Sequence, residues 1–150
     1  MPLRTFSIAD MVGILRLEVA SFPAEPYPEE MFLDWHRKNP DLFLLVLEAE
    51  AIVGYVIGAV ERQKGRIVSI AVDPRRRRQG VARELSLEVL RRLEGAGVGV
   101  VDLETRFDNH AAIGLWKGLG FVPTGVIPLY YAGGGAALTM RKVLLSRPTE

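Results

Sequence analysis

One junction constrains this chain more than any other. Ser69-Ile70-Ala71-Val72 reads as a strand that halts at Asp73-Pro74. Arg75-Arg76-Arg77-Arg78-Gln79-Gly80-Val81-Ala82 then runs, without further linker, into helical spacing from Arg83 to Leu93. Proline fixes its own φ and pushes the preceding residue out of the α region, so the strand ends there. A strand that passes through a basic, glycine-containing turn into a helix leaves backbone N–H groups without partners at the helix start, where the dipole favours negative charge. That combination suits a diphosphate. Gly80 lets the backbone approach an anion, and Ala82 keeps the next turn clear. Arg77 and Arg78 add charge-assisted hydrogen bonds of about 1.5–3 kcal/mol each. Neither the Gly-Lys-Ser/Thr of a P-loop nor a Gly-x-Gly-x-x-Gly occurs in the chain.

Composition narrows what surrounds this junction. The 150 residues, 49% hydrophobic and 25% charged, suit one soluble domain over 1–150. No stretch approaches the ~20 apolar residues of a membrane span, and Met1-Pro2-Leu3-Arg4-Thr5 lacks the apolar region of a signal peptide, so the expected location is cytoplasmic. The absence of cysteine excludes disulfides, thiol nucleophiles and thiolate metal sites. His36 and His110 are too few and too far apart for a zinc site, so no metal is expected. His36 reads as a solvated helix residue. A net charge of +1 with one basic block, Arg75 to Arg78, gives little electrostatic support for nucleic-acid binding.

The remaining pattern is regular. Strands are predicted at Leu3–Phe6, Leu42–Glu48, Ile52–Glu61, Arg66–Val72, Val98–Thr105, Phe121–Leu129 and Ala136–Leu145. Helices are predicted at Met11–Ala20, Glu29–Lys38, Val81–Leu93 and Ala111–Leu119. Ser7 and Asp10 have the spacing of a capping box, and Asn39-Pro40 stops the second helix. The strands up to Val72 can pair antiparallel through short loops. The strand near Val98 is reached by a helical crossover and must lie parallel to its neighbour.

Arg77-x-x-Gly80-x-Ala82, with a strand before it and a helix after it, resembles the Arg/Gln-x-x-Gly-x-Gly/Ala signature by which GNAT-superfamily acetyltransferases hold the pyrophosphate of acetyl-CoA. The element order of the whole chain is similar to the GNAT fold, a mixed, mainly antiparallel sheet flanked by helices. In that fold two parallel strands splay and the pantetheine arm enters the gap. The resemblance therefore implies acetyl-CoA as co-substrate. Backbone groups of Ile70, Ala71 and Val72 would align its pantetheine arm, and Arg77, Arg78, Gln79, Gly80, Val81, Ala82 and Arg83 would cradle its diphosphate.

The segment Leu103-Glu104-Thr105-Arg106 through Asn109, Ala112-Ile113, Leu115-Trp116 and Leu119-Gly120-Phe121 resembles protein N-terminal acetyltransferases, including bacterial ribosomal-protein enzymes and archaeal relatives. This implies Glu104 as candidate base, with Glu25 assisting through water, and Asn109 and Trp116 beside the cofactor. It implies a protein or peptide N-terminus as partner, ribosomal proteins among them. Glu25-Pro26-Tyr27-Pro28 resembles the loop that covers the first residue of the peptide, and Tyr130-Tyr131 the pair that holds its backbone. Plainer readings stand beside these. Asn109 also reads as a helix N-cap, Glu104 as a carboxylate paired with Arg66 or Arg106, and the tyrosines as loop anchors.

Two departures matter. Trp116 stands where the family often has tyrosine, and an indole N–H is no practical acid. Arg66 stands where archaeal relatives often have histidine. Gly133-Gly134-Gly135 reads as a flexible turn and lacks the acidic pair common in relatives. Transfer to lysine or a small amine, a non-catalytic CoA-binding module, and a nucleic-acid-binding module centred on Arg75 to Arg78 are the alternatives.

Overall fold

The computed structural model describes residues 2–144, so the expected end of the last strand at Leu145 lies outside the described residues. Its strands are β1 (Leu3–Thr5), β2 (Phe43–Glu48), β3 (Ala51–Glu61), β4 (Lys64–Val72), β5 (Val100–Arg106), β6 (Val122–Ile127) and β7 (Ala137–Val143). Its helices are α1 (Met11–Ser21), α2 (Glu29–Lys38), α3 (Val81–Gly95) and α4 (His110–Gly118). The expected element order is the observed one. The strands form a single sheet in the order β1-β2-β3-β4-β5-β7-β6, antiparallel except where β4 meets β5.

Alternation divides the core between the two faces of the sheet. Phe43 and Leu45 of β2 point into a cluster with Ile14 and Leu17 of α1, Phe32 of α2 and Tyr55 of β3. Leu44 and Val46 point the other way, to Leu85, Val89 and Leu93 of α3 and Trp116 of α4. Gly54 and Gly58, four residues apart on one face of β3, let α3 come close. A Cβ on Gly54 would stand 2.8 Å from Val81 Cγ1, and one on Gly58 2.7 Å from Val89 Cγ2. Glycine thus sets how near the first residue of α3 lies to the sheet.

Several boundaries differ from expectation, for local reasons. The β2–β3 and β3–β4 hairpins turn on Ala49-Glu50 and Arg62-Gln63, all four with positive φ, so no glycine marks them. Gly65, which falls between the predicted strands Ile52–Glu61 and Arg66–Val72, is a β4 residue facing Val101, whose Cγ2 would lie 3.1 Å from an added Cβ. Residues 40–42 form a 3-10 turn ahead of β2. The Ser7–Asp10 capping box forms, with Asp10 accepting the Ser7 N–H at 2.8 Å. His36 is not a solvated residue: it is half-buried, edge-on to Phe6 with ring centroids 5.2 Å apart.

The most marked irregularity of the sheet lies between β4 and β5. Their parallel pairing consists of Gly65 with Val101 and Arg66 with Asp102. Just beyond, the β3–β4 register shifts: Ile57 pairs with Ser69 but Gly58 pairs with Ile67, leaving Val68 as an extra residue. A bulge of this kind bends its strand. The rest of β4 follows β3, while β5 pairs with β7 along its whole length. The sheet therefore opens between them, over Ile70, Ala71 and Val72.

Candidate active site

Three sets of groups meet at this opening. The first is the backbone edge of β4. Tyr55, Val56 and Gly54 pair with Ala71, Ile70 and Val72 on the β3 side, whereas no strand pairs with these three residues on the β5 side among the described residues. Each strand residue offers an N–H and a C=O, so that edge can accept a ligand as a surrogate strand.

The second set is the turn into α3. Asp73 caps a 3-10 turn at Pro74–Arg76 by accepting the Arg75 N–H at 2.9 Å. Arg78 and Gly80 have φ of 68° and 81°, which curls the backbone ahead of the helix. The first backbone bond of α3 runs from Glu84 N–H to Gly80 C=O at 3.0 Å. The N–H groups of Val81, Ala82 and Arg83 have no backbone acceptor among the described residues. Val81 sends its side chain into the core, and an added Cβ on Gly80 would meet nothing within 4 Å among the described residues. The arginines divide in two. Arg75 is paired with Asp73, and Arg76 with Glu48, whose Oε1 lies 2.8 Å from Arg76 Nε. Arg77, Arg78 and Arg83 are exposed and in no ion pair among the described residues.

The third set surrounds Glu104. On β5 the side chains of Asp102, Glu104 and Arg106 alternate away from buried Val101, Leu103 and Thr105, on the face opposite α3. Arg66 Nη2 donates to Glu104 Oε1 at 2.8 Å, and the Tyr130 hydroxyl approaches the same oxygen at 3.4 Å. Arg66 is thus the partner of Glu104. Arg106 goes elsewhere: it donates to Glu25 Oε1 at 3.2 Å and lies 4.3 Å over the Tyr131 ring. Arg106 Nη1 would be 2.7 Å from a Cβ on Gly135, so Gly133-Gly134-Gly135 is more than a flexible turn. It is held by bonds from Gly134 to Tyr131 and from Tyr131 to Gly135, and it seats Arg106. Tyr130 and Tyr131 meet edge to face at 4.9 Å. Burial foremost, then the neighbouring Tyr130, pushes the Tyr131 phenol up to about 12, so it keeps its proton near neutrality. A cavity of about 320 Å³ continues over this face, lined by Asp102, Glu104, Thr124, Thr139 and Arg141. A larger one, about 590 Å³, lies away from these groups beside Lys38, Asn39, Asp41, Val60 and Arg92.

Tyr27 is half-buried against Phe32, with ring centroids 5.9 Å apart. Burial first, then Glu18, raises its phenol above the ordinary range; Arg66 acts the other way. Asn109 caps α4, its Oδ1 accepting the Ala112 N–H at 3.1 Å. Trp116 is 3% exposed and edge-on to Phe121, so most of the indole is core.

Residues 10–121 match the acetyltransferase (GNAT) family. The chain belongs to that family. This acetyltransferase is 38% identical to N-alpha-acetyltransferase RimI of Mycobacterium tuberculosis, over 89% of its own length and 87% of that protein. It is 33% identical to an uncharacterized protein of Mycobacterium leprae, over 92% of its length but 39% of the other. Among solved structures it superposes on Ard1 from Thermoplasma volcanium with a TM-score of 0.90, at 34% identity, covering 97% of this chain and 98% of that one. The fold is the GNAT fold, and the protein is an acetyl-CoA-dependent N-acetyltransferase.

The acetyltransferase has the groups to hold that co-substrate. A diphosphate needs donors and room, both present around Gly80, and an amide-bearing arm needs an open strand edge, present on β4. Among the described residues no cluster of three or more histidine, aspartate or glutamate side chains could hold a metal, and no helix is long and apolar enough to cross a membrane.

Sequence reading named two contributors without placing them and missed a third. Arg66, one of the two candidate partners for Glu104 there, is its ion-pair partner here. Arg106 links Glu25 to Tyr131. Glu18 is 2% exposed and accepts from the Tyr27 N–H at 2.9 Å and the Tyr55 hydroxyl at 2.6 Å. The signal for Glu18 was available: with Met11 and Ile14 it falls at i, i+3, i+7 on the buried stripe of α1.

Proposed function

We propose that this protein is a single-domain cytoplasmic enzyme that transfers acetyl from acetyl-CoA to the α-amine of a protein or peptide N-terminus by direct attack. The observation that carries this reading is the convergence on Glu104. Arg66 of β4 and Tyr130 of the β6–β7 turn both reach its Oε1, beside the opening between β4 and β5. The loop bearing Glu25 is tied to the facing turn through Arg106 and Tyr131. The similarity to an N-alpha-acetyltransferase supports the choice of amine.

Bound acetyl-CoA supplies a thioester, an acyl group activated for attack. Arg77, Arg78, Arg83 and the N–H groups from Gln79 to Arg83 hold the diphosphate, while backbone groups of Ile70, Ala71 and Val72 align the arm. Asn109 adds a side-chain amide at the start of α4, and Trp116 forms the apolar floor. Tyr27, Tyr130 and Tyr131 hold the peptide terminus. Glu104 takes the ammonium proton at Oε2, since Oε1 is engaged, with Glu25 assisting through water. No acid is required for departure, because a thiol of pKa about 8.5 leaves tolerably as thiolate.

The weakness of such a base selects the nucleophile. An α-amine, pKa about 7.7–8.0, is partly neutral at pH 7, whereas lysine at about 10.4 is about 3.4 kcal/mol harder to deprotonate. Matched peptides with free or blocked N-termini, each carrying an internal lysine, test this directly. Acetylation confined to the free α-amine is the expected result, and ribosomal-protein N-termini belong in the panel. Equal transfer to lysine in the blocked peptides contradicts it.

A further inference from the structure

Glu18 is a buried carboxylate that the chemistry above does not use. Its position opposes it on every local count. It is buried, which disfavours the charged form, and it sits in the last turns of α1, where the helix dipole disfavours negative charge. Burial raises its pKa above the usual carboxylate value, against the opposing bonds from Tyr55 and the Tyr27 N–H. A leucine at this place would satisfy the core. What leucine cannot supply is acceptors, and Glu18 uses both of its oxygens. Oε2 takes the Tyr27 N–H, and Oε1 takes the Tyr55 hydroxyl, which in turn lies 2.9 Å from Ser69 Oγ on β4, beside Ile70. The Glu18 backbone carbonyl also accepts the Phe22 N–H at 2.8 Å. One residue therefore fastens both ends of the segment 22–27, which carries Glu25 and Tyr27.

We propose that Glu18 is a positioning residue for the peptide side of the site, holding the loop that bears Glu25 and Tyr27 in register with β4. This rests on the reading above that the loop covers the peptide. Glu18 touches neither substrate nor cofactor. Its effect is to keep the loop in its binding-competent arrangement before substrate arrives, since apparent affinity falls in proportion to the competent fraction.

Two measurements test this, one independent of any substrate. In the unmodified protein, hydrogen exchange followed by NMR should show the Tyr27 amide exchanging at least about a hundredfold more slowly than the Ala24 amide in the same loop. Comparable rates overturn the proposal even if every peptide is a good substrate. In Glu18→Gln one acceptor oxygen remains for two donors, so either the Tyr27 N–H faces the amide nitrogen or the Tyr55 hydroxyl turns to accept from it, and KM for a free N-terminal peptide should rise about tenfold. KM for acetyl-CoA should stay within about twofold and kcat within about threefold. A merely structural defect raises both KM values together, and that result, or an unmoved peptide KM, overturns the proposal. Should Glu18→Gln fail to fold, Tyr55→Phe keeps the carboxylate and the ring but removes one donor. It should raise peptide KM in the same selective way, and an unmoved value overturns the proposal. If no peptide is acetylated at all, the function proposed above fails while the amide measurement still judges Glu18.

Discussion

Replacing Arg77 and Arg78 by alanine should weaken coenzyme A binding, while the same change at Arg75 and Arg76 should not. The two pairs are adjacent, and each double substitution removes two positive charges. Arg75 and Arg76 are already held by Asp73 and Glu48, whereas Arg77 and Arg78 are exposed at the start of α3 with no ion-pair partner among the described residues. A charge-assisted hydrogen bond is worth about 1.5–3 kcal/mol, and exposure discounts it to about 1 kcal/mol for each of these arginines. Two such losses raise Kd about 30-fold. Charges without direct contact are screened over about 8 Å at physiological salt, so the Arg75/Arg76 variant should change Kd less than about threefold. Titration calorimetry with coenzyme A and with pantetheine, which lacks the diphosphate, separates the cases. Pantetheine binding should be unchanged in both variants. Equal weakening of coenzyme A binding by the two variants would refute the division, because it would mean that only the general field matters.

Three further outcomes are expected. Glu104→Gln should lower kcat for a peptide about 100-fold and leave acetyl-CoA affinity within about twofold; unchanged turnover removes Glu104 from the chemistry. Gly54→Ala places a Cβ 2.8 Å from Val81 Cγ1 and 3.1 Å from Leu85 Cδ1. It should cost about 1–3 kcal/mol by denaturant melts and also weaken coenzyme A binding, because the start of α3 is displaced; a stable variant of normal affinity contradicts this. The Arg4 guanidinium, against the cost of burial, holds Asp10 down from 3.8 to about 2. A depressed carboxylate stabilises the fold above its unfolded pKa, and this contribution is lost as pH falls from about 3.8 to about 2. Asp10→Asn should therefore cost about 1–2 kcal/mol at pH 7, with the gap from the unmodified protein closing near pH 2; a gap independent of pH refutes the assignment.

The sequence was most legible where pattern and covalent geometry act locally. The strand-to-helix junction at Asp73-Pro74 through Gly80 lies where expected, because proline, glycine and helical periodicity each dictate backbone shape. The hairpins were harder. Their turns use Ala49-Glu50 and Arg62-Gln63 in left-handed conformations that glycine or asparagine adopts more readily, so the nearby Gly65 misled. Charge partners were harder still. Glu104 had two arginines within reach by sequence. Parallel register decides between them, setting Arg66 opposite Asp102 and leaving Arg106 for Glu25. The bond between Glu18 and Tyr55 was hidden for another reason. Each occupies a core position in an otherwise apolar pattern, and their bond joins residues 37 apart in sequence.

If the opening between β4 and β5 is the seat of acetyl-CoA, residue-resolved hydrogen exchange with and without acetyl-CoA tests it most directly. Protection should appear at amides among Ile70 to Val72 and Gln79 to Arg83. Protection that instead gathers at Lys38, Asn39 and Arg92, around the larger cavity, or no protection anywhere, would contradict it.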